Sequence, residues 1–175
     1  VPRWTIAIML HILAAASVAY HYRTAVGADA LTIGTRIVRE KMNPLFLSPE
    51  RFVVATPSAE SKEVLGFGQL RPAPGVAWEL ASLVVEPEHR GQGIGNGIVR
   101  TLLSQHRASS ASEERVCLLT LRSTRGFYER LGFAVTSSPP LPMLLEYAIG
   151  TVVAKAAVDD SLVCMVWDGV VPEER

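Results

Sequence analysis

The sequence predicts an α+β domain with a mixed, mostly antiparallel central sheet flanked by helices. Three observations lead there. Three strand-like runs follow one another, Arg51 to Thr56, Val64 to Leu70 and Trp78 to Val85, with only turn residues between them. Runs joined that closely pair antiparallel, which argues against a doubly wound parallel sheet. The third run breaks at Glu86-Pro87 and enters a glycine-dense loop, His89-Arg-Gly-Gln-Gly-Ile-Gly95, that opens a helical segment. From there helical and strand-like segments alternate as far as Leu162 to Trp167.

Bulk properties narrow the function. A chain of 175 residues is one domain with room for a sizeable core. Lys+Arg and Asp+Glu both number 17, and no basic tract stands out, so a nucleic-acid partner held by bulk charge is not expected. The two cysteines, Cys117 and Cys164, each sit in an apolar strand-like run and read as buried thiols. The four histidines (His11, His21, His89, His106) show no ligand-like grouping, so no metal is expected. His106 reads as a helix-end residue.

The elements follow in order. Ile6 to Tyr20 is apolar except for His11 and Ser17, with Arg3 and Arg23 as flanks. It can be a core element with a strand over residues 5–10, a membrane contact through residues 4–22, or a signal-like segment ending in small residues. The core reading is preferred, since a membrane span wants roughly 20 apolar residues. The chain divides into an apolar segment, 1–28, and a domain, 29–170. Ala30 to Met42 is an amphipathic helix with Asp29 as N-cap and Asn43-Pro44 as its stop. The three strands come next, then helix 94–106, strand 116–121, helix 124–131, strand 133–136, a proline-rich loop, a helix from Leu144 to Ala157 and strand 162–167.

The glycine loop carries the chemistry. A strand, a glycine-dense turn and a helix N-terminus form an anion site, because glycines allow positive φ and the first helical N–H groups lack partners. A Walker loop would end in Gly-Lys-Ser/Thr, and this loop ends Gly95-Asn96-Gly97. A dinucleotide fingerprint needs G-x-G-x-x-G and an acidic strand end about 20 residues on. The region near Ala111 is instead a polar loop. An acyl-coenzyme A loop has Arg/Gln-x-x-Gly-x-Gly/Ala after a strand ending in Val-x-Pro. Val85-Glu-Pro-Glu-His-Arg-Gly-Gln-Gly-Ile-Gly95 meets that pattern at every position.

On these residues the chain resembles the GNAT superfamily of acyl-CoA-dependent N-acetyltransferases. Phe127-Tyr-Glu-Arg-Leu-Gly-Phe133 resembles the family's downstream motif, so two motifs stand in order with a strand between them. The resemblance spans roughly residues 30–167 and is specific over 78–133. It implies the acyl-CoA N-acyltransferase fold and transfer of an acetyl group from acetyl-CoA to a primary amine. It implies that the pantetheine arm pairs with strand backbone at Leu83, Val84 and Val85. It further implies that the amides of Gly91, Gln92, Gly93, Ile94, Gly95 and Asn96 hold the pyrophosphate, with Arg90 adding a charge-assisted contact. Tyr128 is the candidate general acid. Glu79 is the candidate base: period-two alternation puts it on one face with Ala81, Leu83 and Val85. Family members that modify protein N-termini often carry a glutamate in the later strand and an asparagine in the next loop. Here those places read Thr120 and Ser123-Thr-Arg125. The alternative function is an acyl-CoA-binding module without turnover. Residues 29–48 and 137–147 are expected to bind the acceptor, whose identity is not legible. Arg39 to Leu47 is similar to plant, plastid-type members, which implies an intracellular, plastid location, with a cytoplasmic or membrane-associated one as alternatives.

Overall fold

The computed structural model describes residues 19–167 apart from 43, 45–46, 74–76 and 110–113, and residue 169. The expected strand over residues 5–10, and most of the proposed membrane contact, lie outside the described residues. Among the described residues no helix is long and apolar enough to cross a membrane.

The described strands are β1 (His21–Thr24), β2 (Phe52–Thr56), β3 (Gly66–Ala73), β4 (Ala77–Val85), β5 (Val116–Leu121), β6 (Phe133–Thr136) and β7 (Leu162–Trp167). They form one sheet in the order β1-β2-β3-β4-β5-β7-β6. Every neighbouring pair is antiparallel except β4 and β5. The helices are α1 (Ala30–Arg39), α2 (Ile94–Arg107), α3 (Arg125–Glu129) and α4 (Leu144–Val158).

Alternating apolar residues give the sheet two buried faces. On one face, Val53, Ala55, Leu70, Leu80, Leu118 and Met165 pack against Ile94, Ile98 and Leu102 of α2 and against Leu131 after α3. On the other, Ile33 and Ile37 of α1 cover Phe52, Val54, Phe67 and Val84. Met143, just before α4, packs against Cys117. Both cysteines are free and buried, as the strand pattern implies.

Strand β1 has no counterpart in the sequence expectations, and it lies upstream of the expected division at residue 28. It is short and only half-buried, so its four residues carry no clear alternation. Position and partners define it instead. Arg23 pairs with the buried Asp29 carboxylate at 2.7 Å. That carboxylate also accepts the Val26 N–H at 2.8 Å. Asp29 thus ties β1 to the start of α1 and does not cap the helix through its side chain. The Arg23 guanidinium holds the Asp29 carboxyl below the usual carboxylate range.

His106 stands in the last turn of α2, as expected. It is buried, with its ring 5.5 Å from Trp78 and 6.4 Å from Trp167. Its Nε2 lies 2.9 Å from the Glu114 carbonyl. The last turn of α2 is thereby fastened to both β4 and β7.

One irregularity shapes the sheet. Gln69 faces Ala81 and Phe67 faces Val84, so Ser82 and Leu83 of β4 together oppose Gly68 of β3. Ser82 has φ +54°, a left-handed conformation that is uncommon outside glycine. This β-bulge resets the alternation. Before it, Trp78 and Leu80 face the α2 side, and after it Leu83 and Val85 do. Glu79 therefore does not share a face with Leu83 and Val85, contrary to the simple period-two expectation.

Gly97, in the first turns of α2, lies against Tyr22 of β1. A Cβ there would collide with the hydroxyl end of the Tyr22 phenol. Gly97→Ala should lower stability by about 1–3 kcal/mol, the usual cost of overpacking, although alanine is the better helix former. Denaturant melts of the single variant and of Gly97→Ala with Tyr22→Ala check this: the second change should recover part of the loss.

Candidate active site

Strands β4 and β5 pair only at Trp78–Val116 and Glu79–Cys117. Beyond those rungs the strands separate. A cavity of about 950 Å³ opens between them. It runs past Leu83 and Val85 of β4, the loop residues His89, Arg90, Gly91, Gly93, Ile94, Gly95 and Asn96, then Leu119, Thr120 and Leu121 of β5, and Tyr128. The gap lets an extended ligand pair with the free edge of β4. Val84 faces away, into the α1 core, so at that position only its backbone is offered.

The loop is built for an anion. Gly91 and Gly93 have φ of +77° and +81°, and a Cβ on either would meet open space. Those glycines are required by backbone conformation rather than by crowding within the protein. Gly95 differs: a Cβ there would sit 3.5 Å from the Phe127 ring. The Gly97 N–H donates to the Gly93 carbonyl at 3.0 Å and opens the helical ladder, which leaves the amides before it facing outward. The cradle fits a pyrophosphate.

Arg90 lines this cavity while donating through Nε to the Val85 carbonyl at 2.9 Å. Its outer nitrogen lies 3.9 Å from Glu40 at the end of α1. Gln92 has two contacts: it donates to the Glu88 carbonyl and accepts the Tyr20 hydroxyl at 2.5 Å. The residues before β1 thus touch the loop directly, a link with no local signal in the sequence.

Glu79 is buried and its carboxylate lies 2.7 Å from Arg71 Nε, its cross-strand neighbour. It does not line the cavity. The adjacent Gln69 side chain is fully buried, donates to Ser82 Oγ at 3.2 Å, and its carbonyl oxygen has no partner within the chain. Tyr128 is packed edge-on against Phe127 and Phe133, at 4.8 and 5.9 Å between ring centres. Burial pushes its hydroxyl pKa up to about 12, against a hydrogen bond with Thr120 that draws it down. Among the described residues no group of His, Cys, Asp or Glu could hold a metal ion.

A β-bulge before a splayed parallel pair, a glycine loop at a helix start and a tyrosine across the gap define an acyl-CoA-dependent transferase. The description "Acetyltransferase (GNAT) domain" matches residues 48–135, half of the chain. The chain belongs to the GNAT family of acetyltransferases, with acetyl-CoA as acetyl donor and an amine as acceptor. Solved structures share the fold. Rv2747 from Mycobacterium tuberculosis, in complex with CoA and NLQ, is 24% identical with a TM-score of 0.64, over 87% of this chain and 99% of that one. N-acetylglutamate synthase from Neisseria gonorrhoeae, complexed with coenzyme A and N-acetyl-glutamate, is 17% identical with a TM-score of 0.58. That match takes in 83% of this chain and 34% of the synthase, so the present chain corresponds to about a third of it. Ard1 from Thermoplasma volcanium is 18% identical with a TM-score of 0.59, over 90% of this chain and all of that one.

Gly93→Asp combines a strained φ with a charge that repels phosphate. It should abolish acetyl-CoA binding, with Gly93→Ala weakening it less. Calorimetry on the folded variants checks this, and unchanged affinity for Gly93→Asp would displace the pyrophosphate from this loop.

Proposed function

We propose that this acetyltransferase acetylates the α-amino group of a free amino acid, with Tyr128 as the acid that protonates the departing thiolate. The carrying observation is the cavity that joins the glycine loop to Tyr128 along the unpaired edge of β4. Thr120 and the Ser123-Thr-Arg125 stretch, standing where N-terminal acetyltransferases often carry glutamate and asparagine, favour a small acceptor over a protein N-terminus. The N-acetyl-glutamate in the Neisseria structure points the same way. The residues that close the acceptor end are proposed to include Glu40 and Met42, which line the cavity at the end of α1.

Acetyl-CoA supplies an activated carbonyl and a thiolate leaving group. The protein aligns it through the amides of residues 91–96 and the backbone of Leu83, Val84 and Val85. Arg90 would leave Glu40 to meet a phosphate, a stronger partner for its guanidinium than a carboxylate 3.9 Å away. Glu79 is assigned to its ion pair with Arg71, and the attacking amine passes its proton to water in the cavity. On this reading Glu79→Gln keeps an oxygen that accepts from Arg71 and loses only the charge, so stability falls by about 1 kcal/mol and the pH–rate profile stays in place. A moved profile would restore Glu79 as the base. The plastid location remains a proposal resting on Arg39 to Leu47, tested by imaging a tagged full-length protein.

Coenzyme A release, measured over a panel of free amino acids and short peptides, tests the acceptor. Release with peptides alone would overturn the amino-acid reading, and donor binding without release for any amine would favour a binding module. Tyr128→Phe keeps the ring and removes the donor, so kcat should fall about 10²–10⁴-fold with donor affinity little changed. Because burial raises the Tyr128 pKa, the hydroxyl stays protonated as pH rises, and the rate should show no alkaline decline from this group below its pKa of about 12.

A further inference from the structure

Two local rules are broken side by side in the sheet. Gln69 of β3 is fully buried, and its Oε1 has no hydrogen-bond partner among the described residues. An orphaned buried polar atom is destabilising, so stability does not explain the amide. Ser82 holds φ +54° at the bulge, a conformation that glycine takes without strain. What serine adds over glycine there is its hydroxyl. The two residues touch: Gln69 Nε2 donates to Ser82 Oγ at 3.2 Å. A hydroxyl has one proton to give. Ser82 gives its own to none of the described residues. Ser82 lines the cavity, so that proton is open to a ligand. Alternation along β3 shows the side from which it reaches. Phe67 lies on the α1 face and Leu70 on the α2 face. Gln69 therefore shares the α1 face, and so does the Ser82 hydroxyl bonded to it. Met42, packed against the core on that face, lines the same cavity.

We infer that Ser82 binds the acceptor, its hydroxyl donating to the α-carboxylate, and that Gln69 is the residue that positions this hydroxyl. This rests on the acceptor being a free amino acid. The donor, held as proposed, runs from the glycine loop back along Val85, Val84 and Leu83, so its acyl end comes level with Ser82. An amino acid offers two groups there. Its amine needs the lone pair for attack, and a proton donated to that nitrogen would block the reaction. Its carboxylate only accepts. A hydrogen bond to a charged acceptor is stronger than one between neutral groups. The thioester oxygen fits less well. The donor lies between the strand edges, in the plane of the sheet, whereas strand side chains stand roughly perpendicular to it. With Gln69 occupying one lone pair of Oγ, the proton is turned toward the cavity before the ligand arrives, which lowers the ordering needed on binding. Glu40, at the acceptor end, is paired with Arg39 at 3.3 Å, which offsets its charge against an incoming carboxylate. The carboxylate then holds the neighbouring amine beside the thioester.

The test measures KM and kcat for the best amino acid of the panel in Ser82→Gly, Ser82→Ala and Gln69→Leu, in the full chain. The amine with the same side chain and no carboxyl group is the control, read as KM or, where it is not turned over, as Ki. Removing the hydroxyl should raise KM for the amino acid roughly 10–100-fold, the range of one hydrogen bond to a charged group. The control amine should bind the variants as it binds the wild type. Calorimetry should give an unchanged dissociation constant for acetyl-CoA. Gln69→Leu should raise the same KM by a smaller factor while its melting temperature stays level or rises, because the orphaned oxygen is gone. A merely structural Gln69 would lower the melting temperature and leave the acceptor KM alone, which would overturn its positioning role. Ser82→Gly relaxes the strained φ, so it keeps the fold where the alanine variant does not. A wild-type KM for the amino acid without the Ser82 hydroxyl would overturn the inference. An equal loss for the amino acid and the control amine would also overturn it, by placing the hydroxyl on the thioester. Turnover of peptides alone would instead overturn the amino-acid reading beneath it.

Discussion

The extra residue in β4 governs the rest of the site. Two residues of β4 against one of β3 cannot keep a flat, regular ladder, so the strand bends and turns its side chains over. Upstream of the bulge β4 behaves as a core strand, pairing with β3 on one side and β5 on the other. Downstream it keeps β3 and loses β5, while Leu83 and Val85 come round to the α2 face. Gly68 permits this: a Cβ there would lie 3.1 Å from Ile98 and 3.2 Å from Leu83. The glycine loop then starts from a strand already steered away from its parallel neighbour, and α2 carries the loop's amides toward the gap.

Much of the architecture could be read from the chain because its signals are local. β5, β6 and β7 begin and end where the apolar runs do, at 116–121, 133–136 and 162–167. The glycine loop and the Phe-Tyr helix are contiguous motifs, so their place in the order of elements was legible as well. What escaped depends on contacts across the fold. β1 is recognisable only once β2 is beside it. Ser82 has no residue type that announces a bulge, since serine rather than glycine takes the positive φ. Without the bulge, alternation assigns Glu79 to the wrong face and conceals its pairing with Arg71. His106 could be read as a helix-end residue, but its burial could not, because the two tryptophans that enclose it come from distant strands.

The region before α2 is held from two directions. Tyr22 fills the space that Gly97 leaves, and Tyr20 reaches Gln92 within the loop itself. On the far side Arg36 and Arg39 of α1 both meet the buried Glu86, at 2.7 and 3.1 Å, just where β4 gives way to the loop. A loop made flexible by glycines is thus fixed at its start by an ion-pair cluster and along its length by aromatic side chains. Such outside support orients backbone donors without placing side chains in the ligand's path.

The separation of β4 from β5 also has a thermodynamic side. Two inward edges left unpaired are open to completion by a ligand between them, and a donor bound as proposed would join the fold's own hydrogen bonding. Ligand that binds the native chain and not the unfolded one adds about 2.7 kcal/mol of stability at a hundredfold excess over its dissociation constant. That is a sizeable share of the 5–15 kcal/mol typical of a whole domain. Where acetyl-CoA is scarce, the population of opened molecules exposed to proteases rises accordingly. On that linkage the donor is a structural ligand as well as a reactant.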